Sequence, residues 1–367
     1  MKPVWQVLAW TSGAVGAAIT GAAVGVAAHS TRAGARKDEE LEALGMLRPD
    51  RQSTVAADDG VPLSVQEVLP ADGGKPDLTV VFVHGFTLNS RGWHFQRRDL
   101  PALTKPRARL VFFDHRSHGE SGHSSKKTST IDQLGRDLDA VLRAAAPRGP
   151  IVLVGHSMGG MTIMALAEQR PELFPDRVRG VALLGTSAGA VGSSGLPRPW
   201  LSRANPVPRG LAILSDLQPG LVEWTRKIGD RLAWSIIRAV SFGDRKTPKN
   251  VVDLMAEMIG STSVEVVTDF LETLAQHDRK DALAALSTCE VLVLSGDADK
   301  LTPFSPHAEV IAEALPSARV VEAEGAGHPV MMERPELVTG ELEALLRRAY
   351  RSKPQKGTGS ERRAENR

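Results

Sequence analysis

"VLVGHSMGGMTIMALAEQRPE", residues 152 to 172, joins two different periodicities at one polar turn. It opens as an apolar, β-branched run and continues at helical spacing until Pro171 stops it. Between the two stands Gly155-His156-Ser157-Met158-Gly159, a Gly-x-Ser-x-Gly pattern. A serine held on an abrupt strand-to-helix turn tolerates little side chain two residues to either side, so glycines there have a steric reason. A second stretch, "VALLGTSAGAVGSSG" at 181 to 195, fits the same pattern around Ser187, with Gly185 and Gly189 in the flanking places. There the strand and the glycines are present, but "AVGSSGLPRP" follows, which does not start a regular helix. Ser157 is therefore the candidate nucleophile, and Ser187 reads as the start of an exit loop.

Outward from this elbow, short β-branched runs recur at "LTVVFVHG" (78 to 85), "ARLVFFDH" (108 to 115), "VRGVALLG" (178 to 185), "EVLVLSG" (290 to 296) and "ARVVEAEG" (318 to 325). Segments of helical spacing separate most of them, such as "TIDQLGRDLDAVLRAAA" at 130 to 146. An Asp-Gly pair within "TVAADDGVPLSVQEV" (54 to 68) predicts an opening hairpin. Strands alternating with helices imply an α/β fold: a mostly parallel sheet with helices on both faces. The alternation fails from 190 to 262, where Gly/Ser/Pro-rich sequence leads into helical patterns such as "PKNVVDLMAEMIG" (248 to 260). The expected organisation is a core in two parts, 51–189 and 263–350, with a helical cap at 190–262 between them. Trp200, Trp224 and Trp234 fall in the cap and are candidates for lining an apolar pocket or for packing the cap on the core.

The ends read differently. Residues 4–28 carry no charge, long enough as a helix to cross a hydrocarbon core. A membrane anchor, a signal segment cleaved after Ala28 with secretion of the rest, and a buried helix all fit; the length of the run favours the anchor. Ala17, Gly21 and Gly25 have the spacing that lets two membrane helices approach, but no oligomeric state follows from it. Charges flank the run on both sides, so the side of the membrane stays open. Residues 29–50 read as a linker and 351–367 as a basic disordered tail. A net charge of +2 on 367 residues gives no reason to expect nucleic acid, and the single cysteine, Cys289, excludes an internal disulfide.

A serine alone is a weak nucleophile; it needs a base, a carboxylate to orient the base, and donors for the oxyanion. Asp299 follows the strand "EVLVLSG", and His328 follows "ARVVEAEG" in a glycine-rich loop. Both leave strand C-termini, as Ser157 does, and the order Ser157, Asp299, His328 is one of the known triad orders. Asp297 is another candidate for the acid. The turn after "VFVHGF" offers the Phe86 N–H, and the elbow offers that of Met158, as a two-donor oxyanion hole. His115, His118 and His123 lack a recognised metal-ligand spacing, so no metal is expected. His277 and Asp278, at the end of a helical pattern, read as a cationic or capping pair.

These residues together resemble the α/β-hydrolases. The likeness rests on His84-Gly85-Phe86, Asp114-His115-Arg116 through Gly119 and Ser121, Gly155 to Gly160, Gly296 to Asp299 with Thr302-Pro303, and Gly325 to His328 with Glu333 and Pro335. It spans about residues 54 to 350, and it departs at Ser117, where many relatives carry glycine. The resemblance implies a serine hydrolase without cofactor, acting on an ester with an apolar acyl part. Ser157 argues against the relatives that attack with an aspartate, the epoxide hydrolases and haloalkane dehalogenases. Thioesterases, cofactor-free haloperoxidases or perhydrolases and carbon-carbon bond hydrolases share the triad and stay open, as does a non-catalytic membrane-anchored binding module.

Overall fold

The computed structural model describes residues 43–189, Val191 and 234–352. The predicted anchor at 4–28, most of the linker and the basic tail lie outside the described residues, as do Trp200, Trp224 and most of the expected cap. Among the described residues no helix is long and apolar enough to cross a membrane.

Eight strands form one sheet: β1 (Arg51–Ala56), β2 (Pro62–Val68), β3 (Leu78–Val83), β4 (Ala108–Phe113), β5 (Ile151–His156), β6 (Val178–Leu184), β7 (Glu290–Gly296) and β8 (Arg319–Ala323). Their spatial order is β1-β2-β4-β3-β5-β6-β7-β8. β1 and β2 make the predicted antiparallel hairpin, β2 runs antiparallel to β4, and every later pairing is parallel. The central strands are apolar at nearly every position because both faces are covered. Alternation sorts them: Val80 and Phe82 of β3 join one core, Val81 and Val83 the other.

The helices supply the two covers. Helices α1 (Ile131–Ala145) and α2 (Met158–Gln169) add Leu138, Val141, Ile163 and Leu166 to the core that holds Val81. Of the later helices, α3 (Lys249–Ser261) and α5 (Pro335–Arg351) add Val252, Leu342, Leu345 and Leu346 to the core that holds Phe82. Local chemistry sets their starts: the Thr130 hydroxyl accepts from the Gln133 N–H, and Pro335 occupies the first turn of α5. Helix α4 (Val264–Ala275) does something else. Its Val266, Phe270 and Leu274 pack with Met158 and Met161 of α2 in a third cluster, so α4 lies over the elbow although sequence alone assigns it to the core.

One ion cluster, with Arg116 and Asp137 buried and Asp59 exposed, ties the first hairpin to the rest. Arg116, just beyond β4, has no exposed surface and forks onto Asp137 of α1 at 2.6 Å and onto Asp59 of the β1–β2 turn at 2.7 Å. Asp59 is held below the ordinary carboxylate range, first by its hydrogen bond from Arg116, whereas burial pushes Asp137 up.

Phe82 is fully buried, stacked on Phe112 at 4.6 Å and tilted against Trp93 at 5.1 Å. Phe82→Ala is expected to destabilise the fold by about 3–5 kcal/mol. Urea unfolding followed by circular dichroism checks this, and a loss under about 1 kcal/mol would mean that the core repacks there.

Candidate active site

Strand β5 delivers Ser157 at φ 52°, ψ −119°, a backbone that a non-glycine residue adopts only when its surroundings impose it. The surroundings are backbone. A Cβ on Gly159 would stand 2.0 Å from the Val83 carbonyl oxygen, and one on Gly155 would stand 2.7 Å from Gly159. Gly160, outside the five-residue pattern, faces the Thr186 side chain at 2.6 Å, and the Thr186 hydroxyl donates to the Ser157 carbonyl at 2.7 Å. Gly160 falls within the stretch that carries the resemblance, but the five-residue pattern gives no reason for it; its constraint comes from the loop after β6.

The structure brings Ser157, Asp299 and His328 together at the C-terminal edge of the sheet. His328 Nδ1 lies 2.8 Å from Asp299 Oδ2, and His328 Nε2 lies 2.9 Å from Ser157 Oγ. A carboxylate accepts only, so the Nδ1 carries the proton and leaves the Nε2 lone pair for the serine O–H. Asp299 is buried and its other oxygen accepts the N–H groups of Leu301 and Thr302 at 2.8 and 2.9 Å. Burial alone would raise this carboxyl; the charge and hydrogen bond of His328, with those N–H groups, outweigh it and hold it below its ordinary value. Asp297, the other candidate, is exposed. Phe86 lines the same cavity as Ser157, and the N–H groups of Phe86 and Met158 have no acceptor among the described residues. Two unbonded donors beside a nucleophile can stabilise an oxyanion.

Neutral histidines frame the site. His84 Nδ1–H donates to Gly85 O at 2.8 Å while its Nε2 accepts the His115 N–H at 2.9 Å, which locks the turn after β3 to the turn after β4. His156 Nε2–H donates to His328 O at 3.0 Å. Burial lowers His84 and His118 to about 4 and His156 to about 3. Ser117 sits in that second turn at φ 62°, which accounts for glycine being favoured at this place. No group of three or more metal-ligating side chains is found among the described residues.

Ser187 stands apart. It is buried, its hydroxyl lies 2.8 Å from His307 Nδ1, and it accepts the Gly189 N–H at 3.1 Å, so it shapes a turn. His277 is no exposed cation: it is buried, donates to the Ser187 carbonyl at 3.0 Å, and burial lowers it to about 4.

A cavity of about 150 Å³ opens on Ser157 and His328. Its walls are mostly apolar, with Leu88, Met161, Met255, Ile259, Leu271 and Leu274 contributed by the core, α3 and α4. Of the three cap tryptophans, Trp234 is the one described, and it does not line this cavity. It is half-buried against the main core and donates its indole N–H to Asp253 at 2.8 Å, so it fastens the cap.

Comparison with known proteins agrees with the fold. The family described as alpha/beta hydrolase fold matches residues 79–335. The chain is 27% identical over 277 residues to the sn-1-specific diacylglycerol lipase ABHD11 of Mus musculus, covering 72% of this chain and 80% of that protein. It is 26% identical over 300 residues to a non-heme chloroperoxidase of Streptomyces lividans, covering 80% and 99%. Among solved structures, a thermophilic esterase from Thermogutta terrifontis superposes with a TM-score of 0.61 at 25% identity, over 82% of this chain and 99% of that one.

The buried histidines predict an acid-sensitive fold. Unfolded histidines take up protons below about pH 6.5, whereas His84, His118, His156 and His277 resist protonation until about 3 to 4 when folded. The unfolded chain therefore binds more protons in that window, and stability present above pH 6.5 is lost as pH falls. Urea midpoints should fall steadily from pH 7 to pH 5, and less steeply in His277→Gln. Midpoints constant across that range would contradict the neutral assignment.

Proposed function

This chain belongs to the alpha/beta hydrolase fold family, and from that footing we propose that it hydrolyses carboxylic esters with an apolar acyl part. The observation that carries the reading is the unbroken series Ser157, His328, Asp299 at 2.9 and 2.8 Å. Ser157 Oγ attacks the ester carbonyl carbon while its proton passes to His328 Nε2. Asp299 holds the imidazole in position and compensates the imidazolium. The N–H groups of Phe86 and Met158 receive the developing oxyanion. His328 then gives its proton to the leaving alkoxide, the alcohol departs, and an acyl-enzyme remains. Water repeats the sequence, activated by His328, and releases the acid. No metal or cofactor takes part in these steps.

The cavity narrows the acyl part. At about 150 Å³ and mostly apolar, it matches the size of an apolar cavity that holds one benzene, about six carbons. Short acyl chains fill it and long ones overrun it. Attachment to a membrane through residues 4–28 belongs to the same proposal and is supported by the uncharged run in the sequence.

Fluorophosphonate labelling of the full chain should vanish in Ser157→Ala and persist in Ser187→Ala. Esterase turnover should drop roughly 10⁴- to 10⁶-fold with the first substitution. Unlabelled wild-type protein would remove the nucleophile from the reading. Across p-nitrophenyl esters, kcat/KM should peak at about four to six acyl carbons and fall at least about tenfold by twelve. Acyl-thioesters or peracid formation outrunning every ester would instead move the assignment to those chemistries.

A further inference from the structure

The residue that carries the base has both of its peptide ends committed. His328 N–H donates to the Ser241 carbonyl at 2.7 Å, and His328 C=O accepts from His156. Ser241 ends the helical turns described over 234–241, inside the expected cap, and the buried Phe242 returns the chain onto the main core. Gly327 rests directly on that return segment: a Cβ there would stand 2.2 Å from Ser241 O and 2.6 Å from Gly243 N. The base loop and the return segment thus touch backbone to backbone.

Glu333 sits under this seam, only 8% exposed, and takes donors from both sides. Its Oε2 accepts the Gly327 N–H at 2.7 Å and the Gly243 N–H at 3.2 Å. Its Oε1 accepts the Asp244 N–H, together with the Thr247 hydroxyl at 3.1 Å. A carboxylate offers about four lone-pair sites, and these four donors occupy them. Asp244 is fastened again from outside by Arg334 at 3.3 Å.

We propose that Glu333 is a positioning residue that makes the alignment of His328 on Ser157 depend on the seating of residues 241–244. The inference rests on the ester-hydrolase reading and deepens it. Glu333 touches neither substrate nor reacting atoms; it acts through the Gly327 amide, one peptide from the base. A general base must lie within hydrogen-bond reach of the proton it takes, and a displacement near 1 Å costs about two orders of magnitude. Lifting the return segment withdraws the acceptor of the His328 N–H and two of the donors on Glu333, so the base loses register when residues 241–244 lift.

The test compares full-length Glu333→Gln and Thr247→Val with wild type. Glutamine keeps the shape but replaces one acceptor oxygen with an NH2 that faces N–H groups, so two of the four donors lose their acceptor and the seam loosens. Thr247→Val removes one hydroxyl donor and leaves the three backbone donors in place. Active sites are titrated with fluorophosphonate, and the labelling rate, kcat and KM are expressed per titrated site, with melting followed in parallel. In Glu333→Gln, labelling rate and kcat should fall together by roughly 10²-fold, with KM within about twofold. In Thr247→Val the same pair should fall roughly fivefold. A purely structural role would lower melting temperature and the number of titrated sites while leaving the rate per site at the wild-type value; that result overturns the proposal. Should Glu333→Gln fail to fold, wild-type rates per site in Thr247→Val overturn it equally. Failure of the ester-hydrolase reading looks different, because wild type itself would then take no label.

Discussion

Gly159 is pressed on the carbonyl oxygen of Val83, where a Cβ would stand 2.0 Å away. It means that the first turn of α2 is pressed against the end of β3. A helix so placed leaves β5 no gradual exit, and Ser157 takes up the whole change of direction at a positive φ. The strain, of order 1–3 kcal/mol for such a residue, is sustained by packing on both sides. On one side β3 and β5 pair in parallel; on the other the Thr186 hydroxyl grips the Ser157 carbonyl. The reward is rigidity: the nucleophile stands on regular structure, while its partners arrive on loops leaving β7 and β8 toward the same edge.

What was legible in the sequence followed from local rules. Ser157 and Ser187 share the five-residue pattern, and the residues after each separated an elbow from a turn; the structure gives one a helix and the other a buried hydrogen-bonded loop. The strands were legible because both-face burial writes continuous β-branched runs. Less legible were features that depend on residues far apart in the chain. Gly160 is constrained by Thr186, Arg116 by Asp59 and Asp137, and Glu333 by Gly243 and Asp244. Helix α4 reads as an ordinary amphipathic helix; that its apolar face covers the elbow is a tertiary fact. Trp234 shows the same limit: its size left a pocket wall and a packing role open, and its contact with the main core and its bond to Asp253 decide for packing.

Histidine illustrates how surroundings assign a role. His84, His115, His118 and His156 all stand near the elbow, bonded to carbonyl oxygens, and their burial opposes any charge. They serve as neutral struts with fixed tautomers. His328 differs by having a carboxylate on its Nδ1 and a hydroxyl on its Nε2. In the proposed reaction, acid and base chemistry falls to the imidazole whose charged form has a partner.

The arrangement also orders events in time. Nucleophile and base belong to different halves of the sheet, Ser157 following β5 and His328 following β8. As the chain leaves the ribosome, the elbow is complete while β7, β8 and Glu333 have yet to be made. On the proposed chemistry, the nascent protein therefore carries its serine before His328, the base, exists. In that reaction the serine is activated only once the loop after β8 has been made and folded.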